Sequence, residues 1–226
     1  MSSASSQAAR PIVLAMTGAS GAIIAVRLLQ RLVAAGREVY LLVSPSGWAV
    51  IGQELGERFR GATPEGERLV EMLVGYTPGG RFAIEDVRWG QPPKALDSQV
   101  RHYGYGDYFS PVASGSSRTA GMIICPCSGA TLSGVSRASG ENLIQRAADV
   151  HLKERRPLVL MPRETPLSTF QLENMLRCSQ AGATVMPMMP GWYHGARDTL
   201  DLVDFLVARA LDHFDIEHTL MQRWAE

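Results

Sequence analysis

Five short apolar runs alternate along the chain with longer stretches in which apolar residues recur every three or four positions. The first run, Ile12 to Met16, has no polar position, which predicts a strand buried on both faces. From Gly21 to Ala35 the period changes. Ile24, Leu28 and Leu32 are spaced four apart, with Leu29 and Val33 beside them, which predicts a helix with one apolar stripe. Gly36 is its natural stop. Val39 to Val43 reads as a second buried strand ending in Ser44. A strand, a helix and a second strand in that order imply parallel pairing through a right-handed crossover.

The alternation resumes with "MIIC" from Met122 to Cys125, a predicted strand, and "ENLIQRAADVHLKER", a predicted helix. "PLVLM", Pro157 to Met161, is the next strand. Ser168 followed by Gln171 marks a helix start, and Gly182 its end. "TVMPM", from Thr184, is a further strand. Asp198 caps a last helix with Leu200, Val203, Val207, Leu211 and Phe214 on its inner face. The pattern predicts a Rossmann-like α/β fold: an open parallel sheet with helices on both faces, as a single domain over residues 11–226 behind a small, polar, disordered tail at 1–10. Between about Gly61 and Thr119 the pattern weakens. "ERLVEMLV" suggests a short helix and "FAIEDVRW" a strand, while "YGYGDYFSPVASGSSR" has the character of a binding or lid loop.

Composition excludes several classes. Twenty-two basic residues cancel twenty-two acidic ones, so there is no electrostatic case for nucleic acid or an anionic membrane. No apolar run is long enough to span a bilayer, and the N-terminal residues lack the apolar core of a signal peptide. Three cysteines are too few for a disulfide framework and suit a reducing, cytoplasmic setting. Cys125 and Cys127 form C-x-C without a second pair, and the five histidines have no ligand spacing, so no metal site is expected.

In an open α/β sheet, ligands bind beyond the carboxyl ends of the strands. Five such ends carry polar or small residues here: Thr17, Gly18, Ala19, Ser20 and Gly21; Ser44; Ser128, Gly129, Ala130 and Thr131; Arg163 and Glu164; Trp192, Tyr193 and His194. Any one of them is what a turn needs. Together they are what a polar cofactor tail needs, because small residues admit the backbone and helix-start N–H groups accept an anion. The glycine spacing is not G-x-G-x-x-G and there is no Gly-Lys-Ser/Thr, so neither a dinucleotide fingerprint nor a P-loop is present. Arg146, Asp149 and Lys153 share a helix face, which on its own reads as a row of exposed ion pairs. Arg163 and Glu164 follow a fully apolar strand. That predicts two charges at a sheet edge where water is limited, hence paired or functional.

The stretches "MTGASGAIIAVRLLQRL", "RTAGMIICPCSGATLSGV", "ENLIQRAADVHLKERRPLVLMPRETPL", "ENML" and "PGWYH" resemble the UbiX family of flavin prenyltransferases. The match runs from Ile12 to about Glu54 and from about Tyr108 to Trp224. The segment between is unmatched and longer than is common. The resemblance implies a flavodoxin-like three-layer sandwich. It implies reduced FMN as prenyl acceptor, dimethylallyl phosphate as donor, and bonds at N5 and C6 of the flavin without a metal. It also implies a homododecamer with sites completed between chains, and a UbiD-type decarboxylase, including one of ubiquinone biosynthesis, as recipient of the prenylated FMN. By the same resemblance, Gly18, Ala19, Ser20, Ser44, Ser128, Gly129, Ala130, Thr131 and Arg146 hold FMN. Lys153, Arg163, Tyr193 and Arg209 hold the donor phosphate, with Tyr108 and Trp224 as pocket aromatics. Ser20, Glu54 and Glu164 are the catalytic positions, Ser20 beside N5.

The chemistry is coherent. Breaking a C–O bond to phosphate leaves an allyl cation and a dianion. Three cations and a phenol stabilise the dianion, aromatic faces the cation, and a serine relaying to a glutamate takes the N5 proton. Two alternatives stand beside this reading. One is an FMN carrier without prenyl transfer, which has no use for Lys153, Arg163 and Arg209. The other is a flavin-dependent cysteine decarboxylase of the same fold, whose PxMNxxMW motif is replaced here by "PMMPGWYH" without the asparagine.

Overall fold

The computed structural model describes residues 10–56, 59, 73, 76 and 99–224. The strand expected at 82–89, nearly all of the helix expected at 67–74, and residues 1–9 lie outside them. The first apolar run is β1 (Ile12–Met16), buried at every position. Helix α1 (Ala22–Ala34) follows, then β2 (Val39–Val43). Gly36 ends α1 as expected. It adopts φ +70° while Gly36 N–H returns to Val33 O and Arg37 N–H to Leu32 O.

Two elements follow that the pattern did not disclose: α2 (Pro45–Leu55) and β3 (Val100–Tyr103). Ser44 caps α2 by accepting the Gly47 N–H at 3.0 Å, with Pro45 in the first turn. Strand β4 (Gly121–Cys127) begins one residue before Met122 and continues two residues past Cys125, through Pro126. Helix α3 (Gly129–Ser136), also unread in the sequence, starts at once under a Ser128 cap. Helix α4 (Leu143–Lys153) lies within the expected helix, its start fixed by Asn142, which accepts the Gln145 N–H. Strand β5 (Leu158–Pro162) leads to α5 (Thr169–Gln180), where the capping box of Ser168 and Gln171 is present as read. Strand β6 covers only Thr184–Val185, shorter than "TVMPM". Beyond it Met186 and Met188 still donate to Leu160 O and Pro162 O, while Pro187 has no N–H to offer. Helix α6 (Thr199–Asp212) starts at the Asp198 cap and ends two residues before Phe214, which packs on the core from beyond the helix.

The six strands are ordered β3-β2-β1-β4-β5-β6, and every pairing is parallel. This is a doubly wound sheet of the flavodoxin-like, Rossmann-like class. Chain direction reverses its winding between β1 and β4 and opens a crevice at their carboxyl ends. Alternate residues of the strands point to opposite faces. Leu14, Met16, Leu41 and Ile123 join α1, α2 and α6 in one apolar layer; Val13, Ala15, Leu42 and Ile124 join α3 and α4 in the other. Arg27 and Asp204 meet inside the first layer at 2.7 Å with side chains 2% and 1% exposed, tying α1 to α6. Cys125, Cys127 and Cys178 are buried, unbridged packing residues. Burial pushes each thiol up, so none is a thiolate at neutral pH. Among the described residues no cluster could hold a metal ion, and no helix is long and apolar enough to cross a membrane.

Candidate active site

The crevice is stapled by Thr17. Its hydroxyl donates to Pro126 O at 2.6 Å and accepts the Ser128 N–H at 2.8 Å, joining the ends of β1 and β4 where the winding reverses. The turn that follows has no room for larger side chains. A Cβ on Gly18 would lie 2.5 Å from Ser46 Oγ. Gly21 adopts φ +120°, and a Cβ there would strike Met188 Cε. Ser20 between them is exposed.

The first turn of α1 presents bare N–H groups, as every helix start does. Here the protein fills that place itself. Glu54, near the end of α2, accepts the Gly21 N–H at 3.0 Å and the Ala22 N–H at 2.8 Å. The start of α3 is open by contrast. Ser128 Oγ accepts the Thr131 N–H and donates to Thr131 Oγ1, and among the described residues the N–H groups of Gly129 and Ala130 find no acceptor. A phosphate monoester fits these N–H groups, which suits FMN better than a carboxylate-capped α1 does. Ser44 lies at the next helix start, hydrogen bonded to Ser46.

Beside this cradle, a cavity of about 320 Å³ is lined by Arg163, Glu164, Leu167, Met175, Met188 and Met189, among others. Gln171 donates to Glu164 Oε2 at 3.1 Å from the first turn of α5, and the same Gln171 lies against Gly129. Glu164 is thereby fixed near the α3 start. The expectation that Arg163 and Glu164 sit where water is limited needs correcting: both are exposed in the single chain, because the residues after β5 turn outward over the edge.

The remaining site positions fall elsewhere in the chain. Arg146 donates to Ala113 O and pairs with Asp149 at 3.0 Å, and Lys153 stands 3.6 Å from Glu154. Lys153 ends α4 just before β5 begins, while Arg163 follows the last residue of β5. Five strand residues, roughly 16 Å, separate the two levels. Arg209 lies ten residues along α6 from Thr199, roughly 15 Å. It pairs with Asp212 on the wall of a second cavity of about 410 Å³. Tyr193 stands edge-on to Trp224 at 5.2 Å and to Phe205 at 5.9 Å. Tyr108 donates its hydroxyl to Gly140 O. One chain thus brings Gly18–Gly21, Glu54, Ser128–Thr131 and Glu164 together, groups Tyr193, Arg209 and Trp224 separately, and leaves Lys153 at the other end of the sheet. Thr17, named only among the strand-end residues, belongs to the first group, as do Ser46 and Gln171, which were not expected at the site. Each is an ordinary turn residue in sequence, and only its cross-strand partner distinguishes it.

Three faces carry apolar side chains that the single chain leaves uncovered. Phe170, Leu172 and Leu176 of α5 are 77%, 52% and 58% exposed, Met189 and Trp192 are 66% and 73%, and Phe109 is fully exposed. Such area marks contact surfaces.

The flavoprotein family profile matches residues 1–211. Flavin prenyltransferase UbiX of Pseudomonas aeruginosa is 44% identical over 215 residues, covering 95% of this chain and 94% of that one. A solved structure of AnUbiX (PadA1) in complex with FMN and dimethylallyl pyrophosphate superposes with a TM-score of 0.76 at 34% identity, over 96% of this chain and 98% of that one. A dodecameric FMN-dependent UbiX-like decarboxylase from Escherichia coli O157:H7 gives 0.74 at 34% identity, over 96% and 100%. With the glycine turn, the α3 start and the Arg163–Glu164 cavity all at the carboxyl edge of a 3-2-1-4-5-6 sheet, the chain belongs to the UbiX flavin prenyltransferases within the flavoprotein family.

Proposed function

We propose that the chain transfers a dimethylallyl group from dimethylallyl phosphate to N5 and C6 of reduced FMN, making prenylated FMN. The observation that carries this is the convergence of the glycine turn after β1, the open N-terminus of α3 and the Arg163–Glu164 cavity on one crevice. The flavin, when bound, supplies the nucleophile. The chain does the rest. Gly129 and Ala130 N–H groups, with Ser44 and Thr131, hold the phosphate tail of FMN. Ser20 stands over the turn to take a proton, and Glu164, steadied by Gln171, receives it. Glu54, with its oxygens engaged by Gly21 and Ala22, keeps the turn in shape beside that relay. Arg163, Lys153, Arg209 and Tyr193 stabilise the leaving phosphate.

Arg163, Lys153 and the Tyr193–Arg209 pair stand in three separate places in one chain, so the site we infer is assembled from more than one copy. The uncovered apolar faces of α5 and of Met189 and Trp192 supply the contact area, and a dodecamer is the assembly we infer. The chain works in the cytoplasm, and a UbiD-type decarboxylase takes the product. The test is to incubate pure protein with reduced FMN and dimethylallyl phosphate and weigh the flavin. A mass increase of one dimethylallyl unit with loss of donor is expected. Unchanged flavin mass with FMN bound would leave a carrier.

A further inference from the structure

The C-terminal segment folds back onto α6, and one carboxylate holds it there. Asp212, the last residue of α6, accepts from three donors. Arg209 Nη1 reaches Oδ2 at 2.8 Å, Arg223 Nη2 reaches Oδ1 at 2.9 Å, and His218 Nε2 reaches Oδ1 at 3.1 Å. A carboxylate only accepts, so the His218 Nε2 carries the proton. The His218 side chain is 1% exposed and Asp212 17%, while Arg209 and Arg223 are 45% and 44% exposed, so the junction is buried on its histidine side and borders water on its arginine side. Burial alone would raise the Asp212 carboxyl. Hydrogen bonds and charge from Arg223 and His218 outweigh it and hold the group below the ordinary carboxylate value.

The consequence lies one residue further on. Arg223, fixed on Asp212, delivers Trp224 edge-on to Tyr193 at 5.2 Å. Tyr193 rests on Phe205 at 5.9 Å, and Phe205 precedes Arg209 by one turn of α6. Gly191 permits this approach, since a Cβ there would lie 3.0 Å from the Phe205 ring. Asp212, Arg223, Trp224, Tyr193 and Phe205 thus form a chain of neighbours that returns to α6 one turn before Arg209. Among the described residues only Nη1 of Arg209 has a partner, which leaves Nε and Nη2 as a two-pronged donor edge. An exposed arginine paired only with its own i+3 neighbour would hold little geometry. Sharing Asp212 with two further donors is what fixes it, and without that carboxylate Arg209 and Arg223 repel one another.

We propose that Asp212 is a positioning residue of the donor-phosphate site, holding Arg209 with its free edge outward and pinning the tail that sets Trp224 against Tyr193. The proposal rests on the prenyltransferase reading. It is tested in the full chain with Asp212→Asn and Arg223→Ala. With Asp212→Asn, the KM for dimethylallyl phosphate should rise about tenfold while the FMN dissociation constant and kcat stay within about threefold. The 19F resonance of Trp224 in 5-fluorotryptophan protein, assigned with Trp224→Phe, should shift as the edge-on contact with the Tyr193 ring is lost. Arg223→Ala lies at the exposed end of the junction and does not threaten the fold. It should move the same resonance, with a smaller rise in donor KM. A donor KM within about twofold of wild type in Asp212→Asn, or an unmoved Trp224 resonance in Arg223→Ala, overturns the assignment of Asp212. Should Asp212→Asn fail to fold, the Arg223→Ala resonance decides alone. Wild-type protein that binds FMN but consumes no donor overturns the prenyltransferase reading instead.

Discussion

The carboxylate of Glu54 accepts the N–H of Ala22 at 2.8 Å, so the helix start nearest β1 is filled by the protein and not by a ligand phosphate. A glycine turn opening a helix suggests phosphate, but the sequence cannot show that a residue some thirty positions on returns to cap it. Glu54 therefore has a structural load besides any proton it handles.

Glu54→Ala should destabilise the fold by about 1–2 kcal/mol, the scale of a lost helix cap. Glu54→Gln keeps one acceptor oxygen and should lose about half of that, mostly the attraction of a negative charge to the helix start. Thermal unfolding of the two variants beside wild type checks the order. If Glu54→Gln is as damaging as Glu54→Ala, the charge matters more than the cap.

The Arg27–Asp204 pair is buried on both sides and joins two of the three helices, α1 and α6, that cover one face of the sheet. Asp204→Asn removes the Asp204 charge from beside a buried guanidinium and should cost about 3–5 kcal/mol. Replacing both partners by apolar residues, Arg27→Met with Asp204→Leu, should recover much of that loss. Denaturant midpoints of the single and double variants decide. A double variant no better than the single would mean that the pair is needed for packing geometry as well as charge balance.

What the sequence disclosed, and what it did not, follows one division. Uniform burial made β1, β2 and β5 legible, because a parallel strand covered on both faces has no polar position to confuse the period. Helix α2 was hidden by its small and aromatic residues, and its one clear sign, Ser44 before Pro45, read equally as a strand end. Pro126 looked like a strand terminator, yet its carbonyl accepts from Thr17 and the strand runs through it to Cys127. At the site, the turns were legible because strand ends in this fold are where ligands go. The Asp212 junction was not, since its donors lie three, six and eleven residues away and meet only once the tail has turned.

His151 supplies a pH dependence. Its ring is buried under α4, with Nδ1–H donating to Ala147 O and Nε2 accepting from Thr119. Burial, slightly offset by the Ala147 bond, lowers its pKa from 6.5 to about 4. The folded state thus keeps the ring neutral where the unfolded chain binds a proton. Stability is full above about pH 6.5 and falls as pH drops toward 4, by an amount on the order of 2–4 kcal/mol. Unfolding free energies measured between pH 8 and pH 4 for wild type and His151→Gln check this. The wild-type curve should fall more steeply over that window, and parallel curves would assign the acid loss to other groups.

Lys153 and Arg163 lie at opposite ends of β5 in one chain, yet the proposed donor site places both at one phosphate. If a site draws Lys153 from one copy and Arg163 from another, inactive variants should rescue each other. Lys153→Ala and Arg163→Ala proteins, each purified alone, should turn over poorly. Dissociated, mixed in equal amounts and reassembled, they form sites at random. A site is intact when its Lys153 comes from an Arg163→Ala chain and its Arg163 from a Lys153→Ala chain. Each choice has a chance of one half, so about one quarter of sites should be complete in a closed symmetric oligomer. Prenylated FMN formation by the mixture should accordingly reach about a quarter of the wild-type rate. Sites built from a single chain would give no rescue at all, because every chain in the mixture lacks one cation. A mixture no more active than its components, with mixed oligomers confirmed by native mass spectrometry, would therefore place both residues' roles within one chain and force Lys153 out of the donor site.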